Sequence, residues 1–206
     1  MKTILHVSAM LAMVLGCLSV PVAGQIAPSA AHVAADAAGH FDVAANFTYK
    51  AAKISQTTNR FVMPGGSVDA AYNFGGKLGG LSAVVDLNGE SASNIEPGVD
   101  LTQFSIMGGA RYTFRLNRKN AHVVALYGQI LGGEDFASNS AFPGLAAFTS
   151  TANSSAFQAG GGANMRLTRS ISFRLLEADF ITTALPNAAN NRQDSLRLSN
   201  GIVFHF

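Results

Sequence analysis

The feature that most constrains this chain is a strict alternation of apolar and polar residues that begins at His40. From Phe41 to Tyr49 every second residue is apolar, and the residues between them, up to Lys50, are mostly polar. Successive side chains of a β-strand point to opposite faces of the sheet, so this period predicts a strand with one apolar face. The same pattern returns along the chain up to its last residue, Phe206.

Further segments share this alternation, and we predict a strand at each one. Their apolar positions run over Val68–Phe74, Leu81–Leu87, Phe104–Phe114, Phe157–Leu167, Ile171–Leu175 and Leu196–Phe206. One more segment, Ala121–Leu131, is apolar on both parities. We predict a strand there too, but its facing cannot be assigned from the pattern.

The connections between these strands alternate between short and long. The short ones are residues 75–80, 115–120 and 168–170, and the long ones are 51–66, 89–100, 132–154 and 182–192. Bacterial membrane barrels have short periplasmic turns and longer extracellular loops. The sequence therefore predicts an all-β fold, an eight-stranded antiparallel up-and-down transmembrane β-barrel, with its short turns in the periplasm.

The composition fits a protein whose surface faces lipid. Charged residues make up 13% of the chain, about half of the ~25% usual in soluble domains. No apolar run after residue 25 approaches the ~18 residues that a membrane helix needs. The formal net charge is only +2 and the basic residues are scattered, so we expect no nucleic-acid partner, which would require a clustered basic face.

The beginning of the chain predicts export. A basic residue, Lys2, precedes an apolar core from Ile4 to about Val20, and small residues follow up to Gly24. This is the pattern of a secretory signal peptide, which we assign to residues 1–24.

Residues 25–39 are Ala-rich and lack alternation, so we interpret them as a periplasmic lead-in to a barrel domain at 40–206. The chain's only cysteine, Cys17, lies in the signal peptide, which predicts a mature protein without a disulfide. Lipidation of Cys17 is an alternative, because it follows the sequence Val-Leu-Gly.

The last residues carry the most specific motif. Ser199, Gly201, Phe204 and Phe206 form a polar residue, a glycine two positions later and two alternating aromatic residues. With this motif, residues 40–206 resemble the eight-stranded barrels of the outer membrane protein A and opacity-type surface protein family. The resemblance implies a protein of the bacterial cell outer membrane, surrounded by lipid, whose terminal signal is read by the barrel assembly machinery.

Charged residues on the predicted inward parity point to the interior of the barrel. They are Asp42, Lys50, Asp69, Asp86, Arg111, Arg166, Arg174, Glu177, Asp179 and Arg197. An eight-stranded barrel is only wide enough inside for side chains, so we expect these acids and bases to pair and to plug it. We expect Arg197 to pair with Glu177 and Asp179, and Arg111 with Asp86. A narrow gated pore is the alternative.

The seventh strand cannot follow a regular alternation. Regular pairing would place Glu177 and Asp179 in lipid, at a cost of up to ~2–4 kcal/mol for a badly placed charge. We therefore predict a β-bulge near Leu175 and Leu176 that turns both acids inward.

The histidines at the predicted periplasmic ends do not make a metal site. His40 and His205 share inward parity on strands one and eight, which are neighbours in a closed barrel, but only Asp42 lies near them as a further ligand. We interpret them as interfacial polar residues and expect no metal and no cofactor.

An enzyme that modifies outer-membrane lipid is the weaker alternative. No histidine falls near the predicted extracellular rim, so a general base would have to be Glu90, Glu134 or Asp135, and each lacks a recognisable partner. We expect a structural or surface role and no catalytic residues.

The predicted loop at 132–154 is the candidate for contact with a surface ligand. It carries Phe136, Phe142, Leu145 and Phe148. Exposed apolar residues on a long loop can mark a partner site or fold back onto the barrel rim, and the sequence does not choose between these. We expect a monomer.

Overall fold

A computed structural model describes the barrel part of the chain. The described residues are 40–53, 60–75, 78–96, 99–115, 124–143, 148–187 and 190–206. The predicted signal peptide at 1–24, the lead-in at 25–39 and Cys17 lie outside the described residues. Within the described ranges, no helix has the length and apolarity needed to cross a membrane.

Eight antiparallel strands close into a barrel in sequence order, which confirms the predicted fold class. They are β1 (His40–Lys53), β2 (Arg60–Asn73), β3 (Leu81–Glu96), β4 (Val99–Arg115), β5 (Val124–Pro143), β6 (Phe148–Arg166), β7 (Ile171–Thr183) and β8 (Gln193–His205). Strand β1 closes the barrel by pairing on both sides, since Asn46 lies opposite Ser67 of β2 and Gly201 of β8. Closure leaves no unpaired sheet edge in the membrane.

Side-chain burial follows the alternation that the sequence predicted. On β1, Ala44, Thr48 and Lys50 are buried inside, whereas Phe47 and Tyr49 are exposed on the outer face. Asn46, Thr48 and Lys50 of β1 are thus hidden from lipid, because neighbouring side chains of a strand point to opposite faces.

Strand β5 settles the facing that the sequence left open. Tyr127, Gln129 and Leu131 are buried inside the barrel, while Leu126 and Ile130 are exposed on the outer face. The apolar inward residues Tyr127 and Leu131 obscured the period, because an interior position does not have to be polar.

The sheet extends further from the membrane than predicted. Lys53 pairs with Arg60, and Pro143 pairs with Phe148, so most of 51–66 and of 132–154 is paired strand. The predicted loops at 51–66, 89–100 and 132–154 are therefore wrong in extent. Ladder hydrogen bonds join backbone groups, so a strand can continue beyond the membrane, where its outer face meets water and the apolar alternation has ended.

The bulge predicted on β7 is present. Pairing with β8 shifts between Arg174 and Glu177, so that Leu175 and Leu176 lie opposite a single residue, Asn200. The extra residue turns Glu177 to the inside, where it is 2% exposed.

Aromatic rings mark the two membrane interfaces on the outer face. Near the periplasmic end, Tyr72 packs edge-on against Phe74 and Tyr112 against Phe114. Phe104 lies ten residues before Phe114 on β4, which on a tilted strand is about the ~25 Å height of the apolar band of such barrels. Phe104 therefore lies near the outer interface.

Candidate functional site

The centre of the barrel holds two arginines that are 0% exposed, Arg174 on β7 and Arg197 on β8. Arg197 Nη2 lies 2.7 Å from Asp86 Oδ2, 3.1 Å from Asp179 Oδ2 and 3.7 Å from Glu177 Oε1. The structure thus brings Arg197 together with Glu177 and Asp179, the two acids expected from the sequence, and adds Asp86.

Arg174 and Arg111 share a second carboxylate. Arg174 Nη1 lies 2.6 Å from Asp69 Oδ2 and 3.0 Å from Glu177 Oε2. Arg111 Nη2 lies 2.9 Å from the other oxygen of Asp69. Glu177 contacts both central arginines and so joins the two groups into one network.

The expected pair of Arg111 with Asp86 is wrong. Arg111 lies opposite Ser82 in the β3–β4 register, whereas Asp86 lies opposite Met107. The two charged residues are thus four positions apart along the strand, or about 13 Å. Asp69 takes the place of Asp86 as the partner of Arg111.

Arg166 also differs from the expectation, because its side chain is exposed and lies outside the interior network. Its Nε donates to the carbonyl of Thr168 at 3.1 Å and its Nη2 to the carbonyl of Arg169 at 2.7 Å. Arg166 is the last residue of β6, so the carbonyl groups of the following turn are within reach of its side chain at the periplasmic end.

Two neutral residues of β5 complete the network, and the sequence reasoning missed both. The Tyr127 ring lies 4.7 Å from the Arg111 guanidinium, and its hydroxyl donates to Glu177. Gln129 accepts from Arg111 Nη2 at 2.8 Å and donates to Asp179 at 3.0 Å. Leu126 and its neighbours of the same parity face outward, which would have placed Tyr127 and Gln129 inside. Apolar residues on both parities of this segment concealed that alternation.

Glycines on β6 make room for these side chains. A Cβ atom at Gly160 would collide with Asp179 Oδ1 and with the carbonyl oxygen of Ala178. A Cβ atom at Gly162 would lie 2.7 Å from the Tyr127 hydroxyl. These two positions on the inward parity therefore need glycine for the network to fit.

Acidic residues continue on the inward face towards the extracellular side. Lys50 Nζ lies 3.9 Å from Glu90 Oε2, and Asp135 is 0% exposed. Glu90 and Asp135, which the sequence placed in loops as candidate general bases, are thus interior residues on paired strands. Glu134 is exposed on the outer face of β5.

An apolar cluster covers the charges at the extracellular side. It consists of Met63, Leu101, Ala137, Phe142 and Leu185. Phe142 is only 5% exposed, so it faces inward and does not present its ring to a surface ligand, which was one of the two possibilities that the sequence left open. Phe148, at the start of β6, is 75% exposed.

A chain of hydrogen-bonded side chains lies at the periplasmic mouth. His205 Nδ1 lies 2.7 Å from Asp42 Oδ1, and His205 Nε2 lies 2.7 Å from Ser172 Oγ. Asn73 Nδ2 donates to the second oxygen of Asp42 at 2.7 Å. These contacts join β1, β2, β7 and β8. The side chain of His40 lies outside the described residues.

The side chains of Ser172, His205 and Asp42 are hydrogen-bonded in the order serine, histidine, aspartate, as in a catalytic triad. A nucleophilic serine must present its oxygen to a substrate, whereas Ser172 is 3% exposed and packed inside the barrel wall. We therefore interpret the three residues as structural. Their hydrogen bonds hold β1, β7 and β8 together, and we call this group the clasp. Among the described residues, no group of three or more His, Cys, Asp or Glu could hold a metal ion.

A groove of about 400 Å³ lies outside the barrel, over the extracellular parts of β4, β5 and β6. Its lining residues are Thr102, Phe104, Phe136, Ala137, Ser138, Thr151, Ala152 and Asn153. The register forms two cross-strand rows, a hydroxyl row of Thr102, Ser138 and Thr151 and a second row of Phe104, Phe136 and Asn153. The groove therefore combines aromatic rings with uncharged hydrogen-bonding groups.

Comparisons with known proteins agree with this geometry. A family model described as the outer membrane protein beta-barrel domain matches residues 12–201. No curated protein matches the chain.

Two solved structures share the fold. Neisserial surface protein A is 20% identical, with a TM-score of 0.57, and the match covers 81% of this chain and 97% of that one. The attachment invasion locus protein Ail of Yersinia pestis, solved in complex with the heparin analogue sucrose octasulfate, is 14% identical with a TM-score of 0.54. That match covers 82% of this chain and 99% of Ail.

Proposed function

This chain belongs to the outer membrane protein beta-barrel domain family, and we propose that within this family it is a closed barrel with a structural and surface role and that it does not conduct. Membership of this family supports a location in the outer membrane. We further propose that residues 1–24 direct export and are removed, and that the barrel assembly machinery recognises Ser199, Gly201, Phe204 and Phe206.

The observation that carries the closed barrel is the complete burial of Arg174 and Arg197 among four carboxylates. A buried charge without a partner is strongly unfavourable, so the fixed ion pairs resist the separation that an open path would need. The apolar cluster on the extracellular side adds a second closed layer. These two layers favour a plug over a narrow gated pore.

A swelling assay on vesicles tests the closed barrel. Vesicles that contain the folded protein are transferred into a solution of glycine or of a monosaccharide, and light scattering reports solute entry. We expect the same swelling rate as in protein-free vesicles. A rate that rises with the amount of folded protein would support the pore.

The outer groove supports surface binding as a second candidate function. We propose that it accepts an uncharged carbohydrate, because sugar hydroxyls fit the hydroxyl row and the apolar face of a sugar ring fits Phe104 and Phe136. Ail was solved with a sulfated sugar, whereas the lining of this groove contains no charged residue. The groove lies on the β5–β6 hairpin, in the segment that the sequence singled out for ligand contact.

Binding to an array of neutral oligosaccharides, with heparin as the charged comparison, tests this proposal. We expect Phe136→Ala to weaken binding of neutral oligosaccharides about fivefold, since an aromatic contact contributes on the order of 1 kcal/mol. Phe180→Ala is the matched control, because Phe180 is equally an outer-face ring but lies on β7, away from the groove. Equal losses in both variants, or binding of heparin alone, would contradict the proposal.

A further inference from the structure

Asn200 is a polar residue in the middle of the lipid-facing side of β8. Its neighbours on the same face, Leu198 and Ile202, are apolar and exposed, whereas Ser199 is buried inside. Asn200 therefore points outward, and it is itself exposed.

The depth of Asn200 follows from its place on the strand. It lies six residues from Phe206, at the periplasmic end, and six residues from Asp194, at the extracellular end. On a tilted strand six residues rise about 15 Å, which is close to half of the ~25 Å apolar band. The amide of Asn200 thus lies near the middle of the bilayer, where neither water nor lipid headgroups can bind it.

The side chain of Asn200 also has no hydrogen-bond partner among the described residues of its own barrel. It lies opposite the bulge at Leu175 and Leu176, where the regular ladder is interrupted. A polar group that is buried without a hydrogen bond is costly, and the cost is highest where the solvent is hydrocarbon.

We propose that Asn200 is the contact point of a symmetric dimer formed by two copies of this chain in the membrane. An amide both donates and accepts, so it is complementary to itself. A twofold axis along the membrane normal would place the two Asn200 side chains at the same depth, where each could donate to the other. Hydrogen bonds between polar side chains stabilise association of membrane segments, and this proposal replaces the expectation of a monomer.

The surface around Asn200 fits such a contact. A ring of exposed apolar side chains surrounds the amide, namely Phe47 at 73%, Leu175 at 42%, Leu176 at 51%, Leu198 at 40% and Ile202 at 44%. Ala45 lies opposite Ile202 and is small enough to allow close approach of a second barrel. These apolar side chains would surround the contact between the two amides and exclude water from it, as the outer residues of an interface do.

Cysteine cross-linking in outer membranes tests the dimer, because the only cysteine of the chain is Cys17. Ile202→Cys places a thiol beside Asn200 and leaves the amide in place. After oxidation we expect a disulfide-linked dimer, at about twice the mass of the mature chain, that the wild type does not form. Ile130→Cys is the matched control, since Ile130 is 60% exposed on β5, on the opposite side of the barrel.

The role of the amide is tested in the Ile202→Cys background. Asn200→Leu keeps the size of the side chain and should reduce the cross-linked fraction about fivefold, whereas Asn200→Gln should largely retain it. Gel migration with and without boiling reports whether each variant is folded. No dimer with Ile202→Cys, an equal dimer with Ile130→Cys, or an unchanged fraction with folded Asn200→Leu would overturn the proposal.

Discussion

Replacing Arg197 with alanine is expected to lower the free energy of unfolding by about 3–5 kcal/mol, the range for breaking a buried ion pair by removing one partner. Arg197 is the only cation within ion-pair distance of Asp86 and Asp179 among the described residues. Without it, two buried carboxylates lose their counter-charge. Urea unfolding of the protein in vesicles, followed by gel migration without boiling, measures the loss.

Two comparisons separate charge from packing at Arg197. Arg197→Met keeps most of the volume and should cost about as much as alanine, whereas Arg197→Lys keeps the charge and should cost less. Arg192→Ala is the surface control, because the pair of Arg192 with Asp194 is exposed and such pairs contribute about 0–1 kcal/mol. A loss at Arg197 as small as that at Arg192 would contradict the account of the network.

Gly160→Ala is expected to destabilise the barrel by an amount near the upper end of the ~1–3 kcal/mol typical of overpacking. The new Cβ atom would collide with the Ala178 carbonyl, which is backbone and cannot rotate away, and with the carboxylate of Asp179. Asp179 would then have to leave Arg197 or the β6–β7 pairing would have to shift. The same unfolding measurement applies.

Gly132→Ala is the matched control for Gly160→Ala. Its new Cβ atom would lie 4.0 Å from the nearest carbonyl oxygen, that of Ala156, on the lipid-facing side. We expect a change within about 0.5 kcal/mol. If both glycine variants were equally stable, the fitted space around Asp179 would have no energetic importance.

The alternation of residues predicted the strands and the closed barrel because a membrane barrel has one face in lipid and one inside, and the period of a strand is two. It also predicted the bulge on β7, since Glu177 in lipid would be too costly. The alternation failed at Tyr127. Its aromatic ring lies inside the barrel next to Arg111 and Arg174, whereas the pattern assigns apolar residues to the outer face.

Predicting which charged residues pair requires more than knowing which face of the strand each residue occupies. Parity fixes only which side of the wall a residue faces, whereas a partner depends on register and on the stagger of the strands. Arg111 on β4 reaches Asp69 on β2, past β3 inside the barrel, and not Asp86. Arg166 is too near the strand end to face the interior. The extended hairpin of β5 and β6 was missed because outside the membrane a strand has no need of an apolar face.

Single-channel recording of the folded protein in planar bilayers tests the closed interior most directly. We expect no steady conductance from the wild type, because ion pairs fill the centre and the cluster around Phe142 covers them. The double variant Arg197→Ala, Phe142→Ala removes a side chain from each layer and is expected to show openings while it remains folded. A steady conductance from the wild type that scales with the number of inserted barrels would contradict the account.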